Sequence, residues 1–126
     1  MTLKECIDRV DAVKPNQYGI EQKVAWLSYL DGIIKNDLID THEMPDGWEE
    51  FEFEAYDPDN LTKGLLAPAP YDELYVAYIK MRIDEENGET ARYNNSASMF
   101  NKYYEDFAKA WNKQFMPKYN GKIKIF

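Results

Sequence analysis

The chain has 126 residues, of which 44% are hydrophobic and 30% are charged, a size and composition that suit one domain with one core. A single cysteine, Cys6, excludes an internal disulfide and fits a reducing compartment. No apolar run approaches the roughly 20 residues that a membrane-spanning helix needs. The charged residues among the first ten exclude a signal peptide, so we expect an intracellular protein without a membrane anchor.

The net charge of −8 is unevenly distributed along the chain. Residues 41–60 hold eight acids and neither lysine nor arginine, whereas residues 109–126 hold five lysines and no acid. Two such segments could attract each other, or each could be solvated on its own face. The distribution of charge alone leaves both interpretations open.

Two helices are predicted in the first third of the chain. Thr2-Leu3-Lys4-Glu5 has the form of a capping box, so the first helix should span about 2–14 and end before Pro15. A second helix is expected over about 19–38, because apolar residues recur there at helical spacing. Its apolar stripe comprises Ile20, Val24, Leu27, Leu30, Ile34 and Leu38.

Two further helices are predicted after the middle of the chain. The third should span about 70–86, with Pro70 in its first turn and Asn87-Gly88 as the turn that follows it. The fourth should span about 90–115 and carries an aromatic stripe, which we interpret as core: Tyr93, Ala97, Phe100, Tyr103, Phe107, Trp111 and Phe115. The predicted fold class is therefore mainly α, with four helices in one domain over 1–126.

Two short segments show a strand-like alternation. In the acidic loop 41–64, residues 50–55 alternate acids with Phe51, Phe53 and Ala55, which is typical of a short half-buried strand. In the basic tail 116–126, residues 122–125 alternate lysine and isoleucine. The two segments are complementary on both faces, so they could pair within one chain, pair between neighbouring chains, or remain apart.

We therefore predict an interaction surface that combines the acidic loop with the basic tail. The candidate subunit or partner contacts are Trp48, Glu50, Phe51, Glu52, Phe53, Glu54, Lys118, Lys122, Ile123, Lys124 and Ile125.

The sequence offers no catalytic constellation, so we expect neither enzyme activity nor a cofactor or metal site. His42 lies in the acidic loop and is expected to be solvated, whereas Cys6 lies on the apolar stripe of the first helix, where a cysteine usually packs as a small hydrophobe. The run 57–60 is not a calcium loop, because Thr62 and Pro68 occupy the positions that require glycine and glutamate. The net negative charge also disfavours direct nucleic-acid binding.

A resemblance to a protein family is carried by the second half of the chain, most firmly over 65–116. Its residues are Leu65-Leu66-Ala67-Pro68-Ala69-Pro70-Tyr71-Asp72-Glu73-Leu74-Tyr75, Tyr78-Ile79, Gly88-Glu89, Tyr93-Asn94-Asn95, Phe100-Asn101 and Phe107-Ala108. In these segments the chain resembles the small head–tail connector (adaptor) proteins of tailed bacteriophages and prophages.

The resemblance implies a non-catalytic structural protein of the virion. Such adaptors form a closed homo-oligomeric ring, of about twelve copies, below the portal and towards the stopper and tail-completion proteins. DNA passes through the ring as cargo, and the expected location is the host cytoplasm during assembly and then the virion neck. The acidic loop is longer and more charged than the family leads us to expect. The alternative is a small acidic binding or regulatory protein of a mobile element, which captures a basic partner through residues 41–60.

Overall fold

The computed structural model describes residues 1–118, and its architecture over that range is mainly helical, as predicted. The four α-helices are α1 (Leu3–Val13), α2 (Ile20–Ile34), α3 (Glu73–Glu86) and α4 (Thr90–Gln114). α2 continues without a break into a π-helical turn, Lys35–Ile39. α3 begins later than the predicted residue 70, because residues 68–72 form a turn in which the Tyr71 N–H donates to the Pro68 carbonyl at 2.9 Å.

The capping box at the start of α1 forms as predicted. The Glu5 N–H donates to Thr2 Oγ1 at 3.1 Å, and the Thr2 N–H donates to Glu5 Oε1 at 3.2 Å. The same end of α1 holds the far end of the loop, since the Leu3 N–H donates to the Lys63 carbonyl at 3.0 Å. The side chains that α1 buries include Cys6, which is fully buried, as predicted.

α3 is the central helix of the domain and contacts the other three α-helices. Six consecutive apolar residues, 74–79, are all buried, so the first half of α3 is enclosed on every side. α4 packs along one side of α3. Of the aromatic stripe on α4, only Phe107 is fully buried, whereas Phe100, Tyr103 and Trp111 remain partly exposed. The stripe is therefore core at its centre and accessible on either side.

The predicted strand over 50–55 does not form within residues 1–118. The β-type pairings in that range are two isolated bridges, Thr2–Gly64 and His42–Pro117. A strand requires a partner, and the proposed partner, 122–125, lies outside the described residues. Of the apolar side chains in the alternation, Phe53 is partly buried, while Phe51 and Ala55 are exposed.

A buried carboxylate connects α2, the loop and α3. Asp31 on α2 is fully buried, and its Oδ1 accepts from the Tyr75 hydroxyl of α3 at 2.5 Å. Its Oδ2 accepts from the Leu66 N–H at 3.0 Å and from the hydroxyl of Tyr56 in the loop. The Tyr75 hydroxyl in turn accepts from the Ala67 N–H at 2.6 Å. Tyr56 in the loop and residues 66–67 after it are therefore held around one side chain in the core.

Replacing Asp31 by asparagine should destabilise the fold in a pH-dependent way. Burial raises the pKa of Asp31 above its ordinary value of 3.8, so the folded state binds a proton there more readily than the unfolded state. The stabilisation linked to this proton is complete below about pH 4 and is lost as the pH rises through the folded-state pKa. We expect Asp31→Asn to lower the free energy of unfolding by about 1–3 kcal/mol, more at pH 4 than at pH 7.

Urea unfolding at both pH values measures this difference. Asp8→Asn is the matched control, since Asp8 on α1 is exposed, and it should change the free energy of unfolding by less than about 0.5 kcal/mol at either pH. An Asp31→Asn loss that is equal at the two pH values, or no loss at all, would contradict the prediction.

Candidate interaction surface

His42 is buried, which corrects the prediction that this histidine is solvated. Its Nδ1 lies 2.6 Å from the Leu38 carbonyl oxygen, and its Nε2 lies 2.6 Å from Oδ1 of the Asn112 side-chain amide on α4. The Trp111 indole N–H also donates to the Leu38 carbonyl, at 3.1 Å. The last backbone carbonyls of a helix have no hydrogen-bond partner within the helix. Here the His42 and Trp111 rings provide partners for the Leu38 carbonyl. The chain is thereby fixed to α4 where it enters the loop.

The first residues of the acidic loop lie beside the first residues of the basic tail. The Glu43 N–H donates to the Met116 carbonyl at 2.7 Å, and the Lys118 N–H donates to the Thr41 carbonyl at 2.8 Å. Residues 116–118 therefore run antiparallel to residues 41–43. The structure brings the beginnings of the two oppositely charged segments together within one chain.

The acidic part of the loop is exposed and makes few contacts. Its carboxylate side chains are exposed, and none forms an ion pair with another residue of 1–118: Glu49, Glu50, Glu52, Glu54, Asp57 and Asp59. The backbone of residues 49–55 makes no hydrogen bond within the described range. We call residues 49–57 the acidic strip; its carboxylates are exposed, and the backbone of its first seven residues, 49–55, makes no hydrogen bond within residues 1–118.

The acidic strip is held in place by its aromatic side chains. The Phe53 ring lies over Gly32 of α2 and meets the Tyr56 ring edge-on, with 5.2 Å between ring centres. The Tyr56 N–H donates to Ser28 Oγ at 2.8 Å. At the other end, the Lys35 ammonium lies 4.8 Å from the centre of the Phe51 ring, a cation–π contact. The strip is therefore a positioned surface and not a loose loop.

Two adjoining grooves run along this surface and share Phe51. The entry groove has a volume of about 200 Å³, and its lining includes Lys35, Trp48, Glu50, Phe51 and Lys118. The strip groove has a volume of about 470 Å³, and its lining includes Phe51, Glu52, Phe53, Glu54, Tyr56 and Asp57. Both grooves combine aromatic rings with carboxylates.

The structure brings most of the predicted contact residues together. Trp48, Glu50, Phe51 and Lys118 line the entry groove, and Glu52, Phe53 and Glu54 line the strip groove beside it. Four predicted residues lie outside the described range: Lys122, Ile123, Lys124 and Ile125. Sequence reasoning missed the side chains that position this surface, namely Asp31, Tyr56, Tyr75 and Asn112. The sequence did contain a signal that Asp31 is buried, because this acid follows Leu30 and lies on the apolar stripe of α2.

The described residues offer little reactive chemistry. Burial raises the pKa of the Cys6 thiol to about 12, so this sulfur is a protonated thiol and a poor nucleophile at neutral pH. Within residues 1–118, no group of three or more histidine, cysteine, aspartate or glutamate side chains is arranged to hold a metal ion. The chemistry of the surface is that of binding: carboxylates, aromatic rings and open backbone groups.

Comparison with known proteins identifies no relative: no family model, no curated protein and no solved structure matches the chain. None of the helices within residues 1–118 has the length and apolar character needed to cross a membrane.

The contact between His42 and Asn112 should be measurable as a coupling free energy. We expect His42→Ala to lower the free energy of unfolding by about 2 kcal/mol, because it leaves the Leu38 carbonyl with one donor fewer. Combined with Asn112→Ala, it should show a coupling of about 0.5–2 kcal/mol in a double-mutant cycle.

Thermal or urea unfolding of the four proteins measures this coupling. A second cycle pairs His42→Ala with Asn101→Ala, an exposed residue on the same helix, and should give additive effects. Additive effects for the Asn112 pair as well would show that the contact does not hold the loop to α4.

Proposed function

We propose that the chain is a structural virion-assembly protein that forms a ring between portal and tail at the head–tail junction of a bacteriophage or prophage. The ring contains about twelve copies, contacts the portal and the stopper or tail-completion proteins, and lets DNA pass as cargo. The observation that carries the proposal is the acidic strip, which is positioned by the fold, open in backbone and carboxylates, and adjoined by the start of a basic tail.

A ring requires two different patches on each subunit, and the charged segments supply such a pair. Head-to-tail contacts join unlike surfaces and close into a ring when the rotation between subunits permits. The acidic strip is one patch, and the basic tail that follows Lys118 is the other. The lysines and isoleucines of 122–125 match the carboxylates and aromatic rings of the strip.

Exposed apolar side chains on two different helices also support a head-to-tail contact. On α2, Tyr29 is 62% exposed beside a shallow groove that includes Ala25 and Ile33. On α4, Met99 is 44% exposed next to the partly buried stripe. These two side chains lie on separate helices, as contacts on unlike surfaces of one subunit would.

The charge of the protein suits a channel for DNA. Phosphate is repelled by an acidic surface, so a ring that exposes carboxylates towards DNA lets the duplex slide without being held. The net charge of −8 agrees with such a role.

The second candidate is a small acidic binding or regulatory protein of a mobile element. It is favoured by the acidic loop, because none of the eight acids of residues 41–60 forms an ion pair within residues 1–118 and a basic partner would provide one. This candidate predicts a complex with the basic partner and no ring.

Native mass spectrometry at low and high salt separates the two candidates. The protein is measured alone and together with the portal protein of the same genome. The adaptor role predicts a salt-sensitive ring, or a portal complex that contains about a dozen copies of this chain. A protein that stays monomeric and does not bind the portal at either salt concentration would contradict the adaptor role and favour the acidic regulator.

Charge reversal tests whether the strip and the tail form the subunit contact. Glu52→Lys and Lys124→Glu should each weaken ring formation, because each places like charges opposite one another. The double variant should restore the opposite charges and the ring. Glu105→Lys on the exposed side of α4 is the control and should leave assembly unchanged. A double variant that assembles no better than the single variants would exclude the pairing.

A further inference from the structure

A tight turn in the acidic loop displays a tryptophan at the surface. The Trp48 N–H donates to the Pro45 carbonyl at 3.0 Å, and Gly47 has a φ of 87°, a conformation that favours glycine at this place in a turn. The indole is 40% exposed, and its ring centre lies 6.3 Å from that of Phe51. We call residues 45–48 the Trp48 turn. Tryptophan is among the residues that most often dominate protein–protein contacts, so this side chain is a candidate anchor.

A groove formed by α1, α3 and α4 offers an apolar receptor of matching size. Its lining includes the buried Val76 and Ala77 of α3 and also Met99 of α4, whose side chain is 44% exposed. We call it the α3 groove, and its volume is about 230 Å³. A cavity of about 150 Å³ holds a benzene ring, and an indole is half as large again. The α3 groove therefore has room for one indole ring.

The charged side chains of the α3 groove leave one cation available to a partner. Arg9 is already bound to Glu73 by two hydrogen bonds of 2.5 and 2.8 Å. Lys80, two turns further along α3, forms no ion pair within residues 1–118. The tryptophan has acidic neighbours, since Asp46 and Glu49 are both exposed. The two surfaces are therefore complementary in charge as well as in size.

Other grooves within the described residues match this tryptophan less well. The entry groove and the strip groove already contain the acidic loop itself. The groove at the turn between α3 and α4 is lined by Asp84, Glu85 and Glu89, which would repel the acids beside Trp48. The shallow groove on α2 has Asp37 in its lining. Charge therefore favours the α3 groove as the receptor.

The Trp48 turn and the α3 groove lie apart in one molecule. Within residues 1–118, no residue lines both the α3 groove and the entry groove, which contains Trp48. On α4, the α3 groove includes Met99, whereas the loop is fixed to the helix at Asn112, about 20 Å further along its axis. The chain's own tryptophan therefore leaves its α3 groove open to another molecule.

We propose that the α3 groove is the docking site for the Trp48 turn of a second copy of this chain. The indole packs against Met99 and the apolar lining, and Lys80 pairs with an acid beside the indole. Because turn and groove are different surfaces, the contact is head-to-tail and leaves each pair with one turn and one groove for further copies. The contact deepens the proposed function by adding a subunit contact, and only the closure of a ring rests on that function.

The size of this contact determines how tightly two copies bind. Interfaces that bury less than about 1,200 Å² are typical of transient complexes, and one tryptophan in a groove belongs to that class. Two isolated copies should therefore dissociate readily. In a closed ring the last contact forms within one assembly, where the effective concentration is in the millimolar range, so weak contacts suffice.

Methyl NMR in mixed samples tests the contact. The labelled chain carries ¹³C-methyl methionine and Trp48→Ala, so its groove is intact but it has no tryptophan to donate. Because Trp48 is exposed, this variant should keep the chemical shifts of its helices. Addition of unlabelled wild-type chain, up to about 1 mM, should shift the Met99 methyl signal through the ring current of the indole. Met116 is 69% exposed and lies outside the groove, so its signal should stay in place.

Three further samples control the titration. Unlabelled chain that itself carries Trp48→Ala should leave the Met99 signal unchanged. Lys80→Glu in the labelled chain should weaken binding by about threefold to tenfold, because it places like charges opposite one another. Lys109→Glu makes the same charge change at an exposed position of α4 outside the groove, and it should leave the titration unchanged.

Several outcomes would overturn the proposal. These are a Met99 signal that does not move with about 1 mM wild-type chain, an equal shift with the Trp48→Ala chain, and an unchanged titration after Lys80→Glu. Native mass spectrometry reports on the ring separately. A ring without the Met99 shift would retain the adaptor role and exclude this contact, whereas the shift without a ring would retain the contact and exclude a closed assembly.

Discussion

The arrangement of the whole loop depends on the buried carboxylate of Asp31. A buried acid is costly unless donors surround it, and here two tyrosine hydroxyls and one backbone N–H point at it. Those donors come from the loop and from α3, so the requirement to satisfy one side chain of α2 fixes where three parts of the chain meet. Burial and the neighbouring Asp31 raise the pKa of both Tyr56 and Tyr75, which keeps the two hydroxyls protonated as donors.

This constraint explains why the acidic strip is both ordered and open. At one end the chain is held by His42 and by the bridge to residues 116–118, and at the other end by Tyr56. The groups that hold these ends are an imidazole ring, a side-chain amide, a hydroxyl and backbone groups, so the carboxylates between them contribute nothing to holding the loop. They repel one another in the free chain, and any cation that arrives relieves that repulsion in a salt-dependent way. The contacts that stabilise the loop therefore leave its carboxylates without ion pairs within residues 1–118.

The helices could be predicted from the sequence because their signals are local. The capping box at Thr2 and the spacing of apolar residues in α2 act over three or four residues, and the structure confirms the four helices. Asp31 was readable as an acid on an apolar stripe, but its partners Tyr56 and Tyr75 lie 25 and 44 residues away. His42 was misjudged for the same reason, since Asn112 is 70 residues distant.

The alternation over 50–55 was a weaker signal, because a strand depends on a partner and not on its own sequence alone. Within residues 1–118 the backbone of 49–55 has no such partner, and side chains hold the segment instead. The Phe53 ring packs over Gly32, and the Tyr56 N–H donates to Ser28 Oγ. Both partners lie on α2, far back in the sequence, so the alternation of 50–55 alone could not indicate that the segment is held by side chains and not by a strand ladder.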